Sequence, residues 1–228
     1  NTDAGSVCPF RPGVTMSRDM LSFEPQEMRR YGWNRDRLRS VVLKYIQAMS
    51  LRRADAAIFL TRYASDEIQR QIGPIDRFSI IPHGVGENFR LKARRELRTD
   101  WGDGEIRCLY VSNAEMYKHQ WHVIRAAGIL RKKGYKIVLE LAGGGSGYPQ
   151  QLIDRAVAEV DPGREFVREL GPVKHEDIPA LLRAADLFVF ASSCENMPNT
   201  LVEAMANGLP IACAERGPMP EVLADGGV

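Results

Sequence analysis

A-A-D-L-F-V-F-A-S-S-C-E-N-M-P-N-T-L-V-E-A-M-A-N-G-L-P-I-A-C-A-E-R-G-P-M, residues 184–219, is the stretch that decides the fold. Leu187 to Ala191 is a short apolar run and predicts a buried parallel strand. Ser192 to Met197 is a polar turn. Pro198 suits the first position of a helix, where its missing N–H costs nothing. Leu201, Val202, Met205 and Ala206 give that helix an apolar stripe, and Asn207-Gly208 followed by Pro210 stops it. Pro210 to Ala214 predicts the next strand. A helix therefore starts at the carboxyl end of a buried strand, where open α/β sheets bind anionic ligands. Glu195 lies in the turn and Glu203 inside the helix, with seven residues between them.

Outward from this stretch the pattern repeats. Strands are expected at Arg107–Val111, Lys136–Ala142 and Phe166–Leu170, and helices at about His119–Lys133, Pro149–Val160, Glu176–Ala185 and Met219–Ala224. Alternation with short loops predicts an α/β domain with a doubly wound parallel sheet. Before it, Val14-Thr15-Met16, Ala54–Leu60 and Phe78–Ile81 read as strands, and Arg37–Ala54 and Ala64–Ile72 as helices. Pro82-His83-Gly84-Val85 reads as a hinge, dividing the chain into 1–84 and 85–228.

The E-x7-E pair in its strand–turn–helix frame resembles the retaining nucleotide-sugar glycosyltransferases of family 4, which have the two-domain, Rossmann-like GT-B fold. G-P-V-K-H-E-D-I-P-A-L-L-R-A-A-D-L-F-V-F-A-S before it, E-A-M-A-N-G-L-P-I-A after it, S-I-I-P-H-G-V (79–85) and L-A-G-G-G-S (141–146) are similar to that family in the same order. The likeness runs from about Arg77 to the end and is looser before it. It implies that 1–84 is the rear part of an acceptor-side domain and 85–228 the nucleotide-sugar donor domain. Asn1 and the closing D-G-G-V then read as the ends of a piece of a longer chain.

The resemblance also assigns roles. Glu203 would hold the ribose hydroxyls and Glu195 the donor sugar. The backbone N–H groups of Asn199 and Thr200 would hold the diphosphate, and backbone near Val173 would meet the base. Lys118 matches the lysine that family members direct at the diphosphate; Asn113 stands nearest the arginine they usually add. Met197 and Gly144 fall on the donor side. Arg18 and Asp19 stand where many members carry a His-Asp pair facing the acceptor; here the His is absent.

The implied activity is transfer of a hexose from a nucleotide diphosphate sugar to a glycan or lipid-linked acceptor, in bacterial-type polysaccharide or glycolipid synthesis. A sugar-nucleotide epimerase on the same fold, or a binding module without catalysis, are the alternatives. No D-x-D occurs, Asp103-Gly104-Glu105 being the nearest, so neither a metal nor any other cofactor is expected, with Lys118 and the helix N-terminus in the cation's place. His119 and His122 are spaced like metal ligands, but no third ligand is apparent, and surface packing is the expectation.

Leu139-Glu140-Leu141-Ala142 runs into Gly143-Gly144-Gly145-Ser146-Gly147, yet G-x-G-x-x-G fails and no P-loop is present, so a dehydrogenase or P-loop reading is excluded. The glycines either bring backbone close to the donor or make a tight turn. Glu221 is expected at a helix start, where a carboxylate favours the dipole.

The net charge of +2 predicts no nucleic-acid partner, and no apolar run reaches the length of a membrane span. Cys8, Cys108, Cys194 and Cys213 are scattered; Cys108 and Cys213 fall in predicted strands, so buried free thiols in a reducing cytoplasm are expected. Cys194 beside Glu195 has no activating base nearby in sequence, which argues against a nucleophile. The segment 29–53 is basic, with Arg29, Arg30, Arg35, Arg37, Arg39, Lys44, Arg52 and Arg53, and carries Tyr31 and Trp33 at its start. Leu38, Val41, Val42, Tyr45, Ile46 and Met49 form one apolar face along it. It reads either as a core-packed helix with a solvated basic face or as a peripheral contact with an anionic membrane surface.

Overall fold

The computed structural model describes residues 10–32, 35–91, 101 and 104–227. Cys8, Trp33 and Asp103 lie outside them, as do the side chains of Arg35 and Asp36. The chain divides into two compact units. Unit 1 is Asn1–Gly84 with Ser193–Pro198 and Glu215–Val222; unit 2 is Val85–Ser192 with Asn199–Ala214 and Leu223–Val228.

Unit 1 holds β1 (Val14–Met16), α1 (Pro25–Arg30), α2 (Arg35–Arg53), β2 (Ala56–Phe59), α3 (Arg62–Ile72) and β3 (Phe78–Ile80). The strands form a parallel sheet in the order β1-β2-β3. Thr61 caps α3 by accepting from the Ala64 N–H, and Gly73 at φ 90° ends it. Ala64, Ile68 and Ile72 recur every fourth residue and form the buried stripe of α3. Glu221 stands in the first turn of its own helix (Met219–Leu223), as expected of a helix start. Its carboxylate also accepts from the N–H groups of Arg62 and Tyr63, at 2.8 and 2.9 Å, and so caps α3. Proximity in space adds this second helix end, which no spacing in the sequence marks.

Of the two readings of the apolar face of α2, core packing holds at most for the half-buried Val41 and Ile46. Leu38, Val42, Tyr45 and Met49 are exposed, and the helix buries Gln47, Ser50 and Leu51 instead. A helix turns by 100° per residue, so the 47–50–51 face and the 38–42–45–49 face look to opposite sides of the helix.

Unit 2 holds β4 (Ile106–Val111), α4 (Gln120–Lys132), β5 (Ile137–Ala142), α5 (Gly147–Val160), β6 (Val167–Gly171), α6 (Ile178–Ala184), β7 (Leu187–Phe190), α7 (Asn199–Ala206) and β8 (Ile211–Cys213). A last helix, α8 (Met219–Leu223), runs across the two divisions of the chain. The sheet is parallel throughout, in the order β6-β5-β4-β7-β8. β5 is buried at every position and β4 at all but Arg107, as expected of central strands covered on both faces. Both units are Rossmann-like α/β layers. α7 begins at Asn199, and Pro198 stands just before it.

Two buried acids organise the sheet. The Asp161 carboxylate accepts from the N–H groups of Glu165, Phe166 and Val167 and fixes the entry to β6. Glu140, in the middle of β5, takes Arg107 of β4 at 2.9 Å and Arg168 of β6 at 3.5 Å, a cross-strand pairing that keeps its buried charge compensated.

Candidate donor site

The sheet of unit 2 reverses its direction of growth between β4 and β7: β5 and β6 continue on one side, β8 on the other. The crevice outside the strand ends at such a reversal is where open parallel sheets take ligands. Asn113 and Lys118 stand in the loop after β4. The N–H group of Lys118 donates to the Glu115 carbonyl at 3.0 Å, and its carbonyl accepts from the Tyr110 hydroxyl at 2.5 Å. The Lys118 ammonium lies 5.2 Å from the Tyr117 ring centre and 5.4 Å from that of Phe190, the last residue of β7. The two rings hold the cation at the β4–β7 boundary. Asn113 is exposed, and its carbonyl accepts from the Ser112 hydroxyl and the Gln120 amide.

The glycine loop after β5 is built for contact with its own sheet. A Cβ on Gly143, at φ +138°, would lie 2.1 Å from the Ser112 carbonyl oxygen, and one on Gly145 2.3 Å from the Ala114 Cβ. The Gly144 carbonyl accepts from the Ala114 N–H at 2.9 Å. The loops after β4 and β5 are thereby locked together. Val173 follows β6 and is half-buried.

Asn199 and Thr200 open α7, so their N–H groups have no partner within the helix. Glu203, further along, is buried, unlike the usual exposed helix acid. Its Oε1 lies 3.0 Å from Nε2 of His175, whose ring tilts against Phe89 with centres 5.0 Å apart. Sequence reading missed His175: nothing in G-P-V-K-H-E-D periodicity or spacing marks it. Among the described residues no group of three or more His, Cys, Asp or Glu could hold a metal ion. The His119 ring packs against Trp121 and His122.

Glu195 and Met197 belong to unit 1, in a turn laid over the carboxyl ends of its three strands. The Asn196 amide donates to the Ser17 hydroxyl after β1, its carbonyl accepts from the Thr61 hydroxyl after β2, and the His83 N–H after β3 points at the Met197 sulfur. Glu195 is half-buried in this turn. Burial, reinforced by the nearby carboxylates Glu24, Glu195, Asp19 and Glu27, raises the Cys194 thiol well above its ordinary range, which disfavours the thiolate a nucleophile needs.

Arg18 and Asp19 follow β1. Asp19 accepts from the Leu21 N–H and the Ser22 hydroxyl, holding its own turn. Arg18 is exposed. The His83 imidazole is pushed below its usual range, first by burial and then by the Arg18 charge. Of the residues expected at the site, Lys118, Asn113, Gly144, Val173, Asn199, Thr200 and Glu203 thus fall in unit 2, and Glu195, Met197, Arg18 and Asp19 in unit 1.

Residues 94–228 match the model of the glycosyl transferases group 1 family. The chain belongs to that family. It is 28% identical over 180 residues to the D-inositol 3-phosphate glycosyltransferase of Pseudarthrobacter chlorophenolicus, covering 76% of this chain and 40% of the relative. It is 27% identical over 199 residues to the alpha-D-kanosaminyltransferase of Streptomyces kanamyceticus, covering 84% and 50%. The chain thus spans half or less of the length of these two relatives. Among solved structures, sucrose-phosphate synthase from Thermosynechococcus elongatus superposes with a TM-score of 0.75 at 19% identity, over 94% of this chain and 53% of that one. WaaG, a glycosyltransferase involved in lipopolysaccharide biosynthesis, gives 0.72 at 18%, over 98% and 62%. These two structures place the fold in the GT-B class.

Proposed function

We propose that the chain is part of a retaining glycosyltransferase that moves a hexose from a nucleotide diphosphate sugar to a glycan or lipid-linked acceptor. The observation that carries this reading is the Lys118 ammonium held over Phe190 at the reversal of the sheet. Breaking the sugar–phosphate bond puts negative charge on the departing diphosphate. A fixed cation and the first N–H groups of α7, from Asn199 and Thr200, stabilise that charge without a metal. Glu203 takes the ribose hydroxyls, backbone near Val173 meets the base, and Glu195 binds hydroxyls of the sugar. Arg18 and Asp19 stand on the acceptor side. Names of relatives support the class: Anabaena HepE has been crystallised with UDP-glucose.

The test is turnover of UDP-, GDP- and ADP-sugars by the full-length protein in excess EDTA, with the product anomer read by NMR. Transfer with retention is expected. Inversion would overturn the mechanism, and loss of activity in EDTA restored by Mn²⁺ or Mg²⁺ would overturn the metal-free reading. Asn113, in place of the usual arginine, favours one alternative, a donor-binding module; donor binding without any turnover would decide for it.

The acceptor side of the proposal includes a membrane surface. The exposed Leu38, Val42, Tyr45 and Met49 on α2, flanked by Arg29, Arg30, Arg52 and Arg53, have the composition of a helix that lies at an anionic interface. No helix among the described residues is long and apolar enough to cross a membrane.

A further inference from the structure

We infer that His175 is a positioning residue for nucleotide recognition: it holds the Glu203 carboxylate in the orientation that accepts the ribose hydroxyls. The inference rests on the reading of Glu203 given above. Glu203 has three side-chain torsions to fix, and its side chain is 10% exposed. A buried carboxylate without a donor is costly, and a free one would sample several rotamers. An ionised carboxylate only accepts, so His175 Nε2 carries the proton and donates to Oε1. That occupies one acceptor site of about four, leaving room for two hydroxyls.

The imidazole is itself held, although its side chain is 72% exposed. A solvated histidine gains little from such a contact. Here the ring rests on Phe89, which is 1% exposed. The Phe89 carbonyl accepts from the Asn207 amide at 3.3 Å, and the Leu91 N–H donates to the Ala206 carbonyl at 3.4 Å. Asn207 is fully buried at the end of α7, one turn past Glu203. The support is therefore a closed circuit: α7 fixes the 89–91 segment, Phe89 fixes the imidazole, and the imidazole returns to α7 at Glu203. The neighbouring Lys174 and Glu176 pair with each other at 3.5 Å, so Glu203 is the carboxylate that His175 takes.

The experiment is calorimetry of the full-length protein with UDP, GDP and ADP, using whichever binds most tightly. Glu203→Gln should weaken it about ten-fold and His175→Ala about five-fold. His175→Gln, whose amide nitrogen reproduces the donor, should restore most of the loss. In a Glu203→Gln background His175→Ala should cost nothing further. A purely structural role for His175 would give a loss that persists in that background and that His175→Gln does not repair, and either result overturns the inference. So does unchanged affinity in His175→Ala while Glu203→Gln is impaired. Wild-type affinity in Glu203→Gln, or no binding of any of the three nucleotides, would instead overturn the ribose reading, and the role of His175 with it.

Discussion

Lys118 and Glu195 are expected to fail differently when removed. If, as proposed, Lys118 faces charge that grows as the bond breaks, Lys118→Ala should lower kcat more than it raises the donor KM, on the order of 10²-fold. Steady-state kinetics of the full-length enzyme checks this; turnover near the wild-type rate would refute it. Glu195→Gln should impair transfer while leaving the affinity for free nucleotide unchanged. The thiols give an independent residue-scale check. Burial pushes Cys108 up to about 12 and Cys194 well above the usual range, while Cys213 is only half-buried, a departure from the buried thiol its strand position suggested. Of these three, Cys213 should react first with a disulfide reagent, and Cys108 and Cys194 only on unfolding. The placement of Glu195 in a turn and of Glu203 in a helix was legible because a strand, a turn and a helix follow in succession. His175 was not, since its role arises where Phe89, the turn after β6 and α7 pack together, and no local pattern encodes that meeting.

At the scale of elements, the alternation of apolar runs and amphipathic stretches located each strand and helix of unit 2 to within a few residues. Parallel strands covered on both faces leave few other readings for runs such as I-V-L-E-L-A. The glycine loop was ambiguous in sequence; the packing at Ser112 and Ala114 accounts for two of its glycines. The face of α2 stayed open between two readings because periodicity shows that an apolar stripe exists, not what covers it. That stripe should bind vesicles containing anionic lipid and not neutral ones, and replacing Leu38, Val42 and Tyr45 together by Ser should abolish flotation with them. Glu221 illustrates the same limit from the other side. Glu221→Gln should lower stability by about 1 kcal/mol, the typical worth of a helix cap, without altering nucleotide affinity. Chemical denaturation and calorimetry would separate the two effects.

Across the whole chain, stability should carry a pH signature from Glu24. Burial raises its carboxyl above the usual 4.5, Glu67 and Glu27 add to the rise, and the hydrogen bond from the Tyr63 hydroxyl opposes it. The fold therefore favours the protonated form. Its contribution is fully present below the ordinary glutamate range and is lost as pH rises through the folded value. Glu24→Gln should accordingly raise the denaturation midpoint at pH 7 and leave it unchanged near pH 3.5; equal shifts at both would refute the assignment. The composition of unit 1 has a further consequence, for the order of synthesis. Residues 10–84 are synthesised before 193–222, yet Thr61 finds its Asn196 carbonyl 135 positions later, and the first N–H groups of α3 await Glu221, about 160 positions on. The earlier segment is thus completed only by the later one. A nascent chain stalled before residue 193 would present α3 with two uncapped donors and the strand ends without their covering turn, in a form that chaperones and proteases recognise.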